Sequence, residues 1–134
     1  MDLFVDTSVW SLALRRDVKT SDPAVERLRG ALESGEGVYT TGLVLQELLQ
    51  GFRGPVARDA IVGRFASLPL LMPDRTDHVK AADLRNDCRR SGVQVGTIDA
   101  LLAQLCIRHA LLMLTTDHDF ALMARHVAIR LWSP

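Results

Sequence analysis

The sequence predicts a three-layer α/β domain, with a parallel sheet covered by helices on both faces. Short apolar runs of strand character alternate with longer segments of helical spacing along the whole 134-residue chain. The first run, Leu3-Phe4-Val5, is continuously apolar, as a strand buried on both sides requires. Two runs end abruptly in aspartates, at the strand ends where open α/β sheets bind their ligands. A chain of this length is expected to be a single domain spanning 1–134.

The elements follow in order. Leu3-Phe4-Val5 is a strand, and Asp6-Thr7-Ser8 turns the chain into a helix from Val9 to Arg16. Asp22-Pro23 pairs an N-cap with a first-turn proline, and Val25, Leu28 and Leu32 keep helical spacing until Gly35. Val38 to Thr41 is a second strand, and Leu43 to Gln50 is a helix that ends before Gly51 and Gly54-Pro55. A further helix runs from Val56 to Leu68. Leu70-Leu71-Met72, held between Pro69 and Pro73, is a short strand, and Arg75 to Ser91 is a polar helix stopped by Gly92. Thr97 is placed to cap a helix from Ile98 to His109 whose all-round apolar character requires burial on several sides. Leu111 to Thr115 then reads as a central strand, Asp119 to Arg125 as a short helix and Val127 to Trp132 as the last strand.

Composition excludes disorder and fibrous structure, because 48% hydrophobic and 24% charged residues are those of an ordinary globular protein. Sixteen Lys+Arg balance sixteen Asp+Glu, so the total charge attracts neither nucleic acid nor membrane. Cys88 and Cys106 are too few and too far apart for a disulfide scaffold and are expected to be buried free thiols. The amino terminus lacks the basic start and apolar core of a signal peptide. The longest apolar region, Ile98 to Leu114, is interrupted by Gln104, Arg108 and His109, so no membrane span and a cytoplasmic location are expected.

The chemistry lies in the acids. Asp6 follows a buried strand, where the plain reading is a helix cap. Glu47 is the only acid between Gly37 and Arg58 and sits among Val44, Leu45, Leu48 and Leu49, with Gln46 and Gln50 as its polar neighbours. Asp99 occupies the first turn of an apolar helix, where it also favours the helix dipole. Asp117 and Asp119 share one strand-to-helix turn, and a cap needs only one of them. Each acid has a structural explanation by itself. Four carboxylate sites at the ends of apolar core elements repel one another unless a cation neutralises them, so a metal is the simplest reason to assemble them. An all-carboxylate set suits Mg²⁺ or Mn²⁺, and no two of His78, His109, His118 and His126 form a zinc pair. Such a site orients water and stabilises charge on a phosphate ester.

With those residues in view, the sequence resembles the PIN-domain ribonucleases, and among them the VapC-type toxins of bacterial toxin–antitoxin pairs. The resemblance rests on Val5-Asp6-Thr7-Ser8-Val9-Trp10, on Glu47 in its helix, on Gly96-Thr97-Ile98-Asp99-Ala100-Leu101-Leu102-Ala103 and on Leu114-Thr115-Thr116-Asp117-His118-Asp119-Phe120. It implies a three-layer α/β/α fold with a central parallel sheet of about five strands. It further implies Mg²⁺- or Mn²⁺-dependent endonucleolytic cleavage of RNA, with Asp6, Glu47, Asp99 and Asp117 as the catalytic acids and Asp119 as an auxiliary ligand. Thr7 and Ser8 would hold the first turn, and Thr116 would orient an acid or a phosphate. A cognate VapB-like antitoxin and a homodimer are the partners that the resemblance implies.

Two rivals place similar residues. A phosphatase of the haloacid-dehalogenase type or a receiver domain would also put an aspartate after the first strand, but both need a lysine near it. Lys19 and Lys80 follow no late strand. A non-cleaving RNA- or protein-binding module, or an RNA-processing nuclease that is no toxin, remains open at this stage. Arg15, Arg16 and Lys19 form one basic cluster and Arg85, Arg89 and Arg90 another; either reaches an RNA backbone, with a solvated helix face as the plainer reading of the second. Trp10, Phe52 and Phe65 can stack bases, though core packing is the default for each.

Overall fold

Leu3–Val5 forms strand β1 with all three side chains buried, as its uninterrupted apolar character requires. The computed structural model describes residues 1–15 and 22–134. In chain order follow α1 (Thr7–Leu14), α2 (Pro23–Ser34), β2 (Val38–Thr41), α3 (Gly42–Gly51), α4 (Pro55–Phe65), β3 (Leu70–Leu71), α5 (Arg75–Arg90), α6 (Thr97–Arg108), β4 (Leu112–Leu114), α7 (His118–Met123) and β5 (Arg130–Leu131). The five strands make one sheet in the order β3-β2-β1-β4-β5, and every pairing is parallel. β1 pairs on one side with β2, Leu3 opposite Val38, and on the other with β4, Val5 opposite Leu114.

That order fixes where a site can form. From β1 the chain winds outward through β2 to β3, then returns to lay β4 on the free side of β1. Helices leaving β1 and β4 therefore diverge, and a crevice opens at the carboxyl ends of these two strands. The residues that follow them are Asp6 and the segment Thr115 to Asp117.

Boundaries depart from the sequence-based expectation in ways that local chemistry explains. The first helix starts at Thr7, two residues early, since Asp6 is its N-cap. Its expected end at Arg16, like Lys19, lies outside the described residues. Gly96, not Thr97, is the N-cap of α6, and no side chain caps that end. β4 and β5 are shorter than their apolar runs, because hydrogen-bonded pairing to a three-residue β1 and then to β4 ends the ladder. The short α7 starts at His118 and ends at Met123, short of Arg125. In α2 the expected cap is present: Asp22 accepts the Ala24 N–H at 2.8 Å, and Gly35 closes the helix at φ 74°.

The long α5 is anchored at its start by a capping box, Asp74 and Asp77 each accepting the other's backbone N–H. Asp77 is fully buried and also accepts from Arg108 at 2.7 Å and Gln104 at 3.3 Å on α6. Burial alone would raise the Asp77 carboxyl, but the Asp74 N–H, Arg108 and Gln104 together hold it below its ordinary value. This knot locks α5 against α6 and so places the loop that precedes Asp99. Elsewhere Trp10 and Phe65 are buried in the core with ring centroids 4.9 Å apart, and Phe52 packs against its edge. The core reading of these aromatics is the correct one. Cys88 and Cys106 are buried free thiols, and among the described residues no helix is long and apolar enough to cross a membrane.

Candidate functional site

Asp6 leaves β1 directly into α1, so its side chain stands in the crevice with only 4% of the residue exposed. Both carboxylate oxygens are held. The Ser8 hydroxyl donates to Oδ1 at 2.6 Å, and the Thr115 hydroxyl donates to Oδ2 at 2.7 Å. Each of these hydroxyls in turn accepts a backbone N–H from the turn after β4, Ser8 from Thr116 and Thr115 from Asp117, both at 2.9 Å. Two chain segments more than a hundred residues apart are thus stitched together through one carboxylate. Asp6 holds the N-cap position of α1, with one oxygen bonded to Ser8 of that helix and the other to Thr115 across the crevice.

The turn after β4 carries the next two acids. Asp117 is the N-cap of α7 and accepts the Asp119 N–H at 2.9 Å through Oδ1. One acid satisfies the cap, as expected, and Asp119 is left exposed beside it. Asp99 reaches the same place from the first turn of α6, half-buried. Asp99, Asp117 and Asp119 each present an oxygen within 4.8 Å of the others. Glu47 approaches from α3, whose buried residues are Val44 and Leu48. It accepts the Thr7 hydroxyl at 3.2 Å, which ties α3 to the start of α1.

The structure therefore gathers all five acids around one crevice, with Asp99, Asp117 and Asp119 as the tightest group and Asp6 and Glu47 beside them, braced by hydroxyls. Electrostatics record the crowding. Burial first, and then the charges of Asp117, Asp6, Glu47 and Asp119, push the Asp99 carboxyl up to about 6. Asp6 is raised mainly by burial, with its Ser8 and Thr115 hydrogen bonds opposing and Asp117 adding to the rise. The donor set is entirely carboxylate oxygen, which fits a hard divalent cation such as Mg²⁺ or Mn²⁺, and a cation is what would relieve the repulsion.

Thr7 and Ser8 hold the first turn through the bonds just given. Thr116 is exposed, and its bond into the network is made by its backbone N–H to Ser8. The hydroxyl that grips Asp6 from the turn after β4 belongs to Thr115, one residue earlier, to which the sequence alone assigns no role. Its only sequence signal is being the first hydroxyl past the last buried strand residue, Leu114. His118 is exposed and opens α7.

Comparison with known proteins agrees with this fold. Residues 3–126 match the PIN domain family. The chain is 30% identical over 125 residues to Ribonuclease VapC11 of Mycobacterium tuberculosis, covering 92% of each chain. Among solved structures it resembles VapBC2 from Rickettsia felis bound to a DNA fragment from its promoter, with a TM-score of 0.77 at 16% identity over 99% of this chain and 100% of that one. It also resembles VapC20 of Mycobacterium tuberculosis, a sarcin-ricin-loop-cleaving toxin, with a TM-score of 0.69 at 20% identity over 96% and 99% of the two chains.

Proposed function

The chain belongs to the PIN domain family, and from that premise we propose that it is a metal-dependent endoribonuclease acting as the toxin of a toxin–antitoxin pair. The observation that carries the chemistry is the convergence of Asp99, Asp117 and Asp119 within 4.8 Å, beside an Asp6 held on both oxygens. The similarity over nearly the full length to a VapC ribonuclease supports the substrate and the toxin role.

In this reading Asp6, Glu47, Asp99 and Asp117 are the catalytic acids, and they hold Mg²⁺ or Mn²⁺ together with Asp119. The cation, when bound, supplies positive charge for the phosphodiester and lowers the pKa of an attacking water. The protein's part is placement. Ser8 and Thr115 fix both oxygens of Asp6, so the carboxylate needs no reorganisation when a ligand arrives. Thr7 holds Glu47 at the rim, and Asp117 keeps Oδ1 in the α7 cap. Water's oxygen bonds to phosphorus and gives up a proton, the P–O bond of the strand breaks, and the departing oxygen takes up a proton in its place. Residues 1–134 act as one domain in this account, in the cytoplasm, as a homodimer, with a VapB-like antitoxin as the partner that blocks the crevice.

The test is cleavage of structured RNA by purified protein with Mg²⁺ or Mn²⁺, abolished by EDTA and by Asp6→Asn and Asp99→Asn while folding persists. RNA bound equally by all three proteins and cut by none would overturn the nuclease reading in favour of a binding module. Expression alone is expected to arrest growth, with rescue by a small gene immediately upstream. Cleavage without toxicity or such a neighbour would instead indicate an RNA-processing nuclease.

A further inference from the structure

Two clefts open off the acidic crevice, and their linings differ in chemistry. One, of about 560 Å³, shares Asp119 with the crevice and is lined by Arg85, Arg89, Gln94 and Gly96. The other, of about 360 Å³, shares Asp117 and is lined by Thr116, His118, Leu131 and Trp132. Both volumes fall in the range of small-ligand sites.

In the first cleft Arg85 and Arg89 lie one turn apart on the same face of α5. Arg85 is half-buried and donates its Nε–H to the Val95 carbonyl at 2.7 Å, which holds the guanidinium in place and leaves four N–H donors. Among the described residues neither arginine has a carboxylate within ion-pair distance, whereas the next basic residue on the helix, Arg90, is paired with Asp87. Two unneutralised guanidinium groups beside a five-acid crevice are placed for anions that continue outward from it, and a phosphodiester backbone is such a chain of anions. In the second cleft the Trp132 backbone N–H donates to the Met113 carbonyl at 2.9 Å, which fixes the residue just after β5, next to β4, the strand that leads to Asp117. Its indole is only half-buried and shares the cleft with the exposed His118 and the exposed Thr116. A flat apolar ring flanked by polar groups at the edge of a phosphate site suits an unstacked nucleobase.

We propose that a single RNA strand lies across the acidic crevice, its phosphates on Arg85 and Arg89 on the Asp119 side and a base stacked on Trp132 on the Asp117 side. This rests on the ribonuclease reading and assigns three substrate-holding residues to it. The strand is single because a paired base has no free face for the indole.

The experiment measures binding of a short, fluorescein-labelled, single-stranded oligoribonucleotide of mixed sequence to the Asp6→Asn protein with Mg²⁺ present, over a range of KCl concentrations. In that background Arg89→Ala is expected to flatten the slope of log K against log salt by about 0.7, and Arg85→Ala with Arg89→Ala by about 1.4, while Arg89→Lys retains it. Trp132→Ala is expected to weaken binding about 5- to 100-fold with the slope unchanged, and Trp132→Phe to recover most of the loss. An unchanged slope in the double arginine variant, or a Trp132→Ala affinity equal to its parent, overturns the inference. These outcomes are separate from the activity: RNA held by these residues but never cut by the wild-type chain would sink the nuclease reading and leave the strand path standing. Cleavage indifferent to all three residues would do the reverse.

Discussion

Neutralising Asp99 should make the metal-free protein more stable, because the acid is held charged against its surroundings. Its carboxyl is raised from 3.8 to about 6 by burial and by four neighbouring acids, a shift of roughly 3 kcal/mol before screening. Asp99 is only half-buried, and solvent reduces this to about 1.5 kcal/mol. Asp99→Asn also gives up a favourable first-turn charge worth about 0.3–1 kcal/mol. The net gain is then about 1 kcal/mol, or about 3–5 °C in Tm for a chain of this size. The sign with pH follows from linkage: a carboxyl raised in the folded state binds its proton more tightly there, so stability is lost as pH rises from about 4 through about 6. Thermal melts in EDTA should therefore show wild type and Asp99→Asn converging near pH 4 and separating above pH 6, with the variant higher. Saturating Mn²⁺ should reverse the order, since ligand at a hundredfold its Kd stabilises by about 2.7 kcal/mol and only the wild type keeps the full ligand set. An Asp99→Asn protein that melts at or below wild type in EDTA at pH 8 would refute the repulsion account, as would a wild-type Tm indifferent to Mn²⁺.

Thr115→Val removes the donor to Asp6 Oδ2 and the acceptor of the Asp117 N–H at nearly constant volume; Mn²⁺ affinity by calorimetry and RNA cleavage should each fall about 10- to 100-fold. Values within twofold of wild type would show that the hydroxyl bridge does not position Asp6. Arg108→Ala leaves the Asp77 carboxylate with only the Asp74 backbone N–H and Gln104 as partners. Because Arg108 is itself a third exposed and water can replace part of it, urea unfolding should show a loss of about 2 kcal/mol, below the usual cost of breaking a buried pair. The Asp77 carboxyl lies below its ordinary value in the folded chain, so this contribution is present above the unfolded value of 3.8 and is lost as pH falls below that value through the lower folded one. An Arg108→Ala protein as acid-sensitive as wild type would contradict that assignment.

Much of the fold was legible because it depends on local pattern. Leu3-Phe4-Val5 is apolar at every position, and only a strand covered on both faces buries all three. Asp22-Pro23 and Gly35 bracket a helix through backbone chemistry that needs no neighbour. Element ends were less legible where they depend on pairing: β5 shrinks to Arg130–Leu131 because β4 offers it only a short ladder. Burial of Trp10 and Phe65 likewise depends on α1 and α4 meeting, which neither segment reveals alone.

The candidate site divides along the same line. Residue type and position by themselves determined that Asp6, Asp99, Asp117 and Asp119 stand at the ends of buried elements and that Glu47 sits in an apolar helix, because uncompensated acids in such places stand out against core composition. Only the tertiary structure decided which oxygens meet. The strand order lays β4 against β1, so Thr115 and Ser8 can share Asp6 across more than a hundred residues. Asp99 on α6 meets Asp117 and Asp119 from the turn after β4, and two arginines of α5 line the cleft that Asp119 shares. The net charge of zero is thereby resolved in space, five acids drawn into one crevice and the remaining chain carrying sixteen bases against eleven acids, a formal +5. Composition counts charges, but distance decides their energy, and distances between remote segments are set by strand order and helix packing.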